Sequence, residues 1–464
     1  MPISALDSLL FKNLFGTSSI RSIFDDKSYM NYCVQVEAAL ARAQAQHNVI
    51  PASAAEHITQ TCQTIELDYN RLSIETEVVG YPILPLVRQL AAQCGERGDE
   101  AGRYVHWGAT TQDIQDTASM LQMKAGLDLV ETHLTALCKT LGRLAEKYRD
   151  TPMAGRTHLQ HALPVTWGYK CAVYLSSFQR HFERLRELRP RCLMVQFGGA
   201  AGTLASLGEG AEGKGMAVRK ALAEELGLGD PGITWHAARD GVAEILNFLA
   251  LVGGSLGKAA MDVMVMSSNE FGEVSEPFVL HRGASSTMPQ KRNPISSEVV
   301  LAASKILRAN AGLGLDAMVT DFERATGPWH LEWVAVPESF VVAVGALSQM
   351  EFAMSGLVVD TKAMQKNLAS TRGLIVAERV MMELAGGMGR QKAHDVVYAA
   401  CRETIECEEE EGRTLCETLC GKREVMEVLT RERVEELCEP RNYLGQSREM
   451  VDVVLKMSEK KGIA

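Results

Sequence analysis

The sequence predicts an all-α protein built round a long central helix bundle. Three observations predict it. Apolar residues recur at helical spacing through most of the 464 residues, one long segment is apolar over most of its circumference, and few stretches alternate with the period of two that a half-buried strand needs. Long helices that are apolar on several sides bury several faces at once, which predicts packing against other subunits as well as within one chain.

The elements follow in order. VQVEAALARAQAQHNVIP (Val34–Pro51) is rich in Ala, Glu, Gln and Leu and reads as a helix stopped by its proline. Ala125–Asp150 keeps helical apolar spacing for about seven turns. Ser177–Pro190 reads as the end of a further helix, and Arg239–Val274 as a very long, mostly apolar one. Three regions result: an N-terminal helical domain over 1–100, a central long-helix bundle over 101–350 and a C-terminal helical domain over 351–464. The acidic run Glu408–Glu411 reads as a solvated helix end or loop.

Composition narrows the function. Hydrophobic residues make up 46% and charged residues 23%, enough for a core that needs no disulfide or metal. The 11 cysteines are odd in number and include no CxxC pair, so free thiols in a reducing cytoplasm are expected, and no zinc-ligand spacing is present. Cys416 and Cys420 would share a helix face. The N-terminal MPISALDSLLFKNLF lacks the basic and long apolar stretches of a secretory signal. The uncharged apolar run from Ile245 to Gly257 is too short to span a bilayer. A net charge of −10 argues against nucleic acid or an anionic membrane as the main partner. An acidic protein that binds an anion must then gather its cations locally.

Three polar, glycine-containing segments interrupt the helices. YVHWGATTQDIQDT (Tyr104–Thr117) places His106, Thr110, Thr111, Gln112 and Asp113 around Gly108. Its hydroxyls and helix-starting acid suit either anion binding or a plain N-cap turn. AGRTHLQHALPVTWG (Ala154–Gly168) carries Arg156, Thr157, His158, Gln160 and His161 in a predicted loop. Two histidines beside an arginine raise the case for acid–base work. HRGASSTMPQKRNPISSEVV (His281–Val300) has small residues, Gly283 to Ser286, that could fold round an anion, with Lys291 and Arg292 for charge. Asn293-Pro294 reads as N-cap and first helical residue, which puts Glu298 in or near the first turn.

GASSTMPQKRNP resembles the GSSxMPxKxNP signature of the fumarase/aspartase superfamily, departing from it at Ala284. The other two segments resemble that superfamily's other blocks, in the same order, and the similarity covers essentially the whole chain. Within it, VEAALARAQ (Val36–Gln44), VHWGATTQD (Val105–Asp113), QFGGAAGTLASLG (Gln196–Gly208), WHAARD (Trp235–Asp240), ERATGPWHLEW (Glu323–Trp333) and NYLGQ (Asn442–Gln446) resemble the bacterial 3-carboxy-cis,cis-muconate cycloisomerase branch. GYPIL (Gly80–Leu84) and GLIVAERVMM (Gly373–Met382) are similar to the trans-aconitate decarboxylase of the same branch. Adenylosuccinate lyase is a more distant relative, since Trp329 and Trp333 are not expected there. At His158 the chain departs from its branch: GRTHLQ is more similar to fumarase and the fumarate-releasing lyases.

The resemblance implies proton removal from a carbon beside a carboxylate of a small di- or tricarboxylate, with a group expelled from, or added to, the neighbouring carbon. It assigns Ser285 as the base, with Lys291 and the loop backbone stabilising the developing charge. His158, held by Glu298, is the implied acid or water-activating pair. His106, Thr110, Thr111, Gln112, Thr157, Gln160, Ser286, Met288, Asn293 and Arg324 are the implied substrate contacts. A homotetramer whose sites are shared between subunits is implied, with no metal or organic cofactor. Three reactions stay open at this point: cycloisomerisation, decarboxylation, and an adenylosuccinate-type or other fumarate-releasing elimination. An idle structural protein is disfavoured by the intact Ser285, Lys291, Asn293, His158 and Glu298. Trp329 and Trp333 read either as core or as walls of a pocket.

Overall fold

The computed structural model describes residues 4–95, 100–208, 210–324, 326–407 and 412–463. It is all-α, with its strands confined to short pairs among the described residues. The acidic run Glu408–Glu411 lies outside the described residues. The chain gathers into two compact units. The first takes the chain up to His133, His181–Leu256 and Ala302–Ser348, and the second takes Leu134–Arg180, Gly257–Leu301 and the chain from Gln349 onward.

In the first unit the expected Val34–Pro51 helix runs from Asp26 to Gln46. It starts early because the Asp25 carboxylate accepts the Ser28 amide N–H at 2.7 Å, an N-cap contact. It also ends before the proline. Asn48 adopts a left-handed φ of 53°, and the Val49 N–H turns back to the Gln44 carbonyl at 2.9 Å. Pro51 instead caps the next helix, Ala52–Thr64. Ala54, Ala55, Ile58, Leu90 and Cys94 pack beneath these helices as a satellite core.

The apolar spacing seen from Ala125 belongs to a helix of 37 residues, Thr111–Lys147, which starts inside the first polar segment. The Ser177–Pro190 helix spans Trp167–Cys192 and carries Pro190 within its last turn. The long apolar segment is helical over Asp240–Met266 only. There Ser268 and Gly272 form a turn, and Val274 pairs with Val359 in a two-residue strand. The second unit has its own core, in which Val380, Leu384, Ala400, Leu415, Leu419 and Val434 are buried.

The second polar segment is not a loop. Pro152–Thr157 and Gln160–Thr166 pair as an antiparallel hairpin with Thr157 opposite Gln160. Arg, Thr, His and Gln at its tip hid the alternation that marks a strand.

Candidate active site

The signature segment, in the second unit, folds as a tight loop ahead of the Ile295–Asp316 helix. Gly283 closes it, with a φ of 68°. A Cβ at Gly283 would stand 2.3 Å from the Asn293 carbonyl oxygen, so only glycine fits here. The Asn293 N–H donates to the Gly283 carbonyl at 2.9 Å, and Ala284 bridges Arg292. Folded this way, the loop turns two amides on Ser285. Its Oγ accepts the Met288 N–H at 3.1 Å and the Thr287 N–H at 3.3 Å. Donors fixed on a serine oxygen stabilise it as an alkoxide, the form in which serine is a base.

Charge around the loop is sorted by task. Arg282 is tied down: it donates to Ser296 Oγ at 2.6 Å and Gln349 Oε1 at 2.8 Å, and lies 4.3 Å over the Phe352 ring. Arg292 lies 4.7 Å over Phe278. Lys291 stays exposed, as do Ser286 and Met288. Met288, Lys291 and Asn293 line a cavity of about 620 Å³ together with Ser268, Glu270 and Arg282.

The helix after the loop begins at Ile295, one residue later than expected, and Glu298 sits in its first turn as expected. Glu276 occupies that helix terminus. Its carboxylate accepts the Ser296 N–H at 3.2 Å and the Ser297 N–H at 2.7 Å. The end of the helix is therefore satisfied by the chain's own acid.

The hairpin presents the second segment. His158 and Leu159 form its two-residue turn, both left-handed at φ 51° and 64°. A type I′ hairpin turn requires this of both central residues, and a branched Leu adopts it at a cost. Thr157, His158 and Gln160 all stand exposed at the tip. Glu298 is exposed too, and among the described residues no hydrogen bond joins it to His158. Behind the tip, Arg156 is not free for substrate. It pairs with the fully buried Glu273 at 2.7 and 3.0 Å, and Asn367 donates to the same carboxylate at 2.9 Å. Burial, and then the charge of Arg156, hold His161 below the usual imidazole range.

The first segment, in the first unit, is organised by Asp113. That carboxylate is fully buried and accepts the N–H groups of Thr110 at 3.0 Å, Gly198 at 3.0 Å and Gly199 at 2.9 Å. It also meets His236 Nε2 at 2.7 Å. Gln112 departs from expectation: it is 1% exposed and donates to the His236 carbonyl at 3.1 Å, so it braces the segment from behind. Thr111 is the first helical residue and half-buried. Arg324 donates to Thr110 Oγ1 and to the carbonyls of Gly199 and Ala200, which brings this distant arginine to the segment. His106 Nδ1 meets Glu37 Oε1 at 2.6 Å. Burial opposes a charge on His106, but Glu37 and then Asp113 overcome it and raise its pKa.

Residues 15–307 match the lyase family, and residues 373–454 match the adenylosuccinate lyase C-terminus. The chain belongs to the lyase family. This is the fumarase/aspartase superfamily expected from the signature. The lyase is 44% identical to trans-aconitate decarboxylase 1 of Mycosarcoma maydis, over 96% of this chain and 88% of that protein. It is 43% identical to the 3-carboxy-cis,cis-muconate cycloisomerase of Pseudomonas aeruginosa, over 96% of this chain and 95% of that one. Among solved structures, a fumarate lyase from Mesorhizobium sp. BNC1 is 52% identical with a TM-score of 0.88, covering 95% of this chain and 98% of that one.

Sequence reasoning passed over three acids that shape the candidate site, Glu37, Glu273 and Glu276, and read Asp113 as a helix-starting acid rather than as the organiser of its segment. Glu37 carried a signal. It is a lone acid flanked on both sides by apolar residues in VQVEAALA, where a helix buried all round needs a partner for any charge.

Proposed function

We propose that this lyase removes a proton beside a carboxylate of a small polycarboxylate, with Ser285 as base, and carries out a 3-carboxymuconate-type cycloisomerisation. The observation that carries the reading is the pair of amide N–H groups held on Ser285 Oγ by a loop that only Gly283 can close. A carbanion is tolerable when the adjacent carboxylate takes up its charge, and donors aimed at that charge lower the barrier. Loss of one such donor commonly costs about 3–4 kcal/mol. Lys291, Asn293 and the loop amides serve this role, with Ser286 and Met288 lining the approach. Thr110, Thr111, Arg324 and His106 receive a second carboxylate, and arginine suits that task by its forked donors. Gln112 acts by bracing them. His158 with Glu298, and Thr157 and Gln160 beside them, complete the acid–base side.

The working assembly is a homotetramer in the cytoplasm, with each site drawn from several copies and no metal or organic cofactor. Two observations support the assembly. The site residues at the hairpin tip and in the signature loop stand exposed in a single chain. Along the Asp240–Met266 helix, Leu251, Gly254, Lys258, Met261 and Val265 are exposed at heptad spacing, a seam that wants a partner helix. All eleven cysteines are free, which suits a reducing compartment.

A second reading has a specific observation behind it. The 44% identity to a trans-aconitate decarboxylase equals that to the cycloisomerase within a percentage point. In that reading CO2 leaves where the first reading removes a proton. The deciding experiment supplies 3-carboxymuconate, trans-aconitate and fumarate adducts in turn, following absorbance of the unsaturated acid and proton NMR of the product. Turnover of 3-carboxymuconate supports the first reading. Release of CO2 from trans-aconitate, with no reaction on the muconate, replaces it with the second.

A further inference from the structure

Away from the signature loop, the first unit encloses a cavity of about 320 Å³, the size of a small-ligand pocket. Its walls are aromatic. Trp235 and Trp329 line it, and Trp333, 38% exposed, stands at the mouth. Trp329 and Trp333 meet edge to face at 5.2 Å.

Its floor is ionic. Arg239 reaches Asp116 at 2.7 and 2.9 Å and Glu332 through two further hydrogen bonds, and the Trp329 indole N–H donates to Asp116 at 3.2 Å. Two buried carboxylates thus face one guanidinium, a formal excess of one negative charge when both are ionised. Burial, with Asp116 adding to it, pushes the Glu332 carboxyl above its usual range against the pull of Arg239. A second observation points to a missing partner. Gln115 also lines the cavity, is 3% exposed, and spends its amide N–H on the Tyr29 hydroxyl at 3.0 Å. Among the described residues, its buried Oε1 has no hydrogen-bond donor. A buried acceptor without a donor is costly unless something supplies one.

We infer that this cavity binds a small organic ammonium, with its N–H groups on Gln115 and the carboxylates and its apolar body between the indoles. Excess negative charge attracts a cation, indole faces bind one by cation–π attraction, and a primary ammonium supplies the donor that Gln115 lacks. The same charge disfavours carboxylates, and the inference does not rest on the proposed reaction.

Three of the protein's five tryptophans line the cavity, so intrinsic fluorescence reports its occupancy. Benzylammonium is titrated into the full-length protein beside benzyl alcohol and benzoate of similar shape. The expected result is a saturable change with benzylammonium at millimolar or lower concentration, at least about tenfold tighter than with either analogue; tenfold corresponds to 1.4 kcal/mol. Glu332→Gln removes the excess charge and is expected to weaken binding about tenfold. Trp333→Leu, at the exposed mouth, weakens it without touching the ionic floor and serves if Glu332→Gln does not fold. Equal binding of benzyl alcohol, no saturable change with benzylammonium, or displacement of benzylammonium by trans-aconitate would each overturn the inference.

Discussion

His106 and Glu37 lie 69 residues apart in sequence and meet at 2.6 Å, imidazole Nδ1 against a carboxylate that is 2% exposed. The contact fixes the orientation of His106 and favours its charged form. The backbone at His106 is left-handed, at φ 61°, so the chain accepts local strain to keep the ring in place.

The pair makes stability depend on pH in a stated direction. The folded-state pKa of His106 is raised, burial opposing and Glu37 and Asp113 prevailing. A raised pKa contributes stability that is fully present below the unfolded value, near about 6.5, and is lost as pH rises through the folded value. Glu37→Gln is therefore expected to lower Tm more at about pH 6 than at about pH 9. Equal losses at both pH values would show that the pair is not ionised in the fold.

Ser285→Ala is expected to reduce kcat at least about 10²-fold while leaving Tm and assembly unchanged, because loss of a general base typically costs that much. Ser286→Ala, which leaves the amide-cradled oxygen in place, should cost less. Retention of more than about a tenth of the rate by Ser285→Ala would remove the serine from the base's role.

Glu273→Ala leaves the partly buried Arg156 without its bidentate partner. Breaking a buried pair from one side commonly costs about 3–5 kcal/mol. Urea unfolding should show a loss of that order, and the hairpin tip carrying His158 should lose its order with it. A loss under about 1 kcal/mol would mean that Arg156 finds water instead.

How much of this was legible in advance depended on what kind of signal a residue carries. The helices were readable because burial repeats every three to four residues along Thr111–Lys147 and Asp240–Met266. Their ends were less so. Pro51 starts a helix rather than stopping one, since the chain had already turned at Asn48, and an asparagine in a left-handed turn looks like any polar residue in sequence. The hairpin at Thr157–Gln160 was hidden because its tip is polar on both faces. The loop at Gly283–Asn293 was recognisable from its motif alone. The acids behind the hairpin and at the start of the following helix were not, because Glu273 and Glu276 act through partners more than ten residues away, and linear spacing does not encode such pairs.

The exposed heptad seam on the Asp240–Met266 helix predicts the behaviour of single charges placed on it. Leu251→Asp and Met261→Asp each put a carboxylate where a partner helix would pack, and both side chains are 52% and 43% exposed in one chain. Sedimentation velocity should show a tetramer for the unchanged protein and smaller, inactive species for these variants. A stable, active monomer of the unchanged protein would overturn both the assembly and the shared site.

Loss of the His158 imidazole is expected to separate the proposed reactions. His158 occupies a turn position whose φ is 51°, and asparagine tolerates that region better than most residues. His158→Asn therefore keeps the hairpin while removing the imidazole, so a loss of rate reports chemistry rather than folding. If a leaving group must be protonated, or an added water activated, kcat should fall about 10²–10⁴-fold with KM nearly unchanged. If His158 only binds a carboxylate, KM should rise while kcat holds. Decarboxylation asks least of it, because CO2 departs without taking a proton. A His158→Asn enzyme that releases CO2 from trans-aconitate at the full rate would therefore rule out the elimination reading, and the lyase would have to be assigned as a decarboxylase.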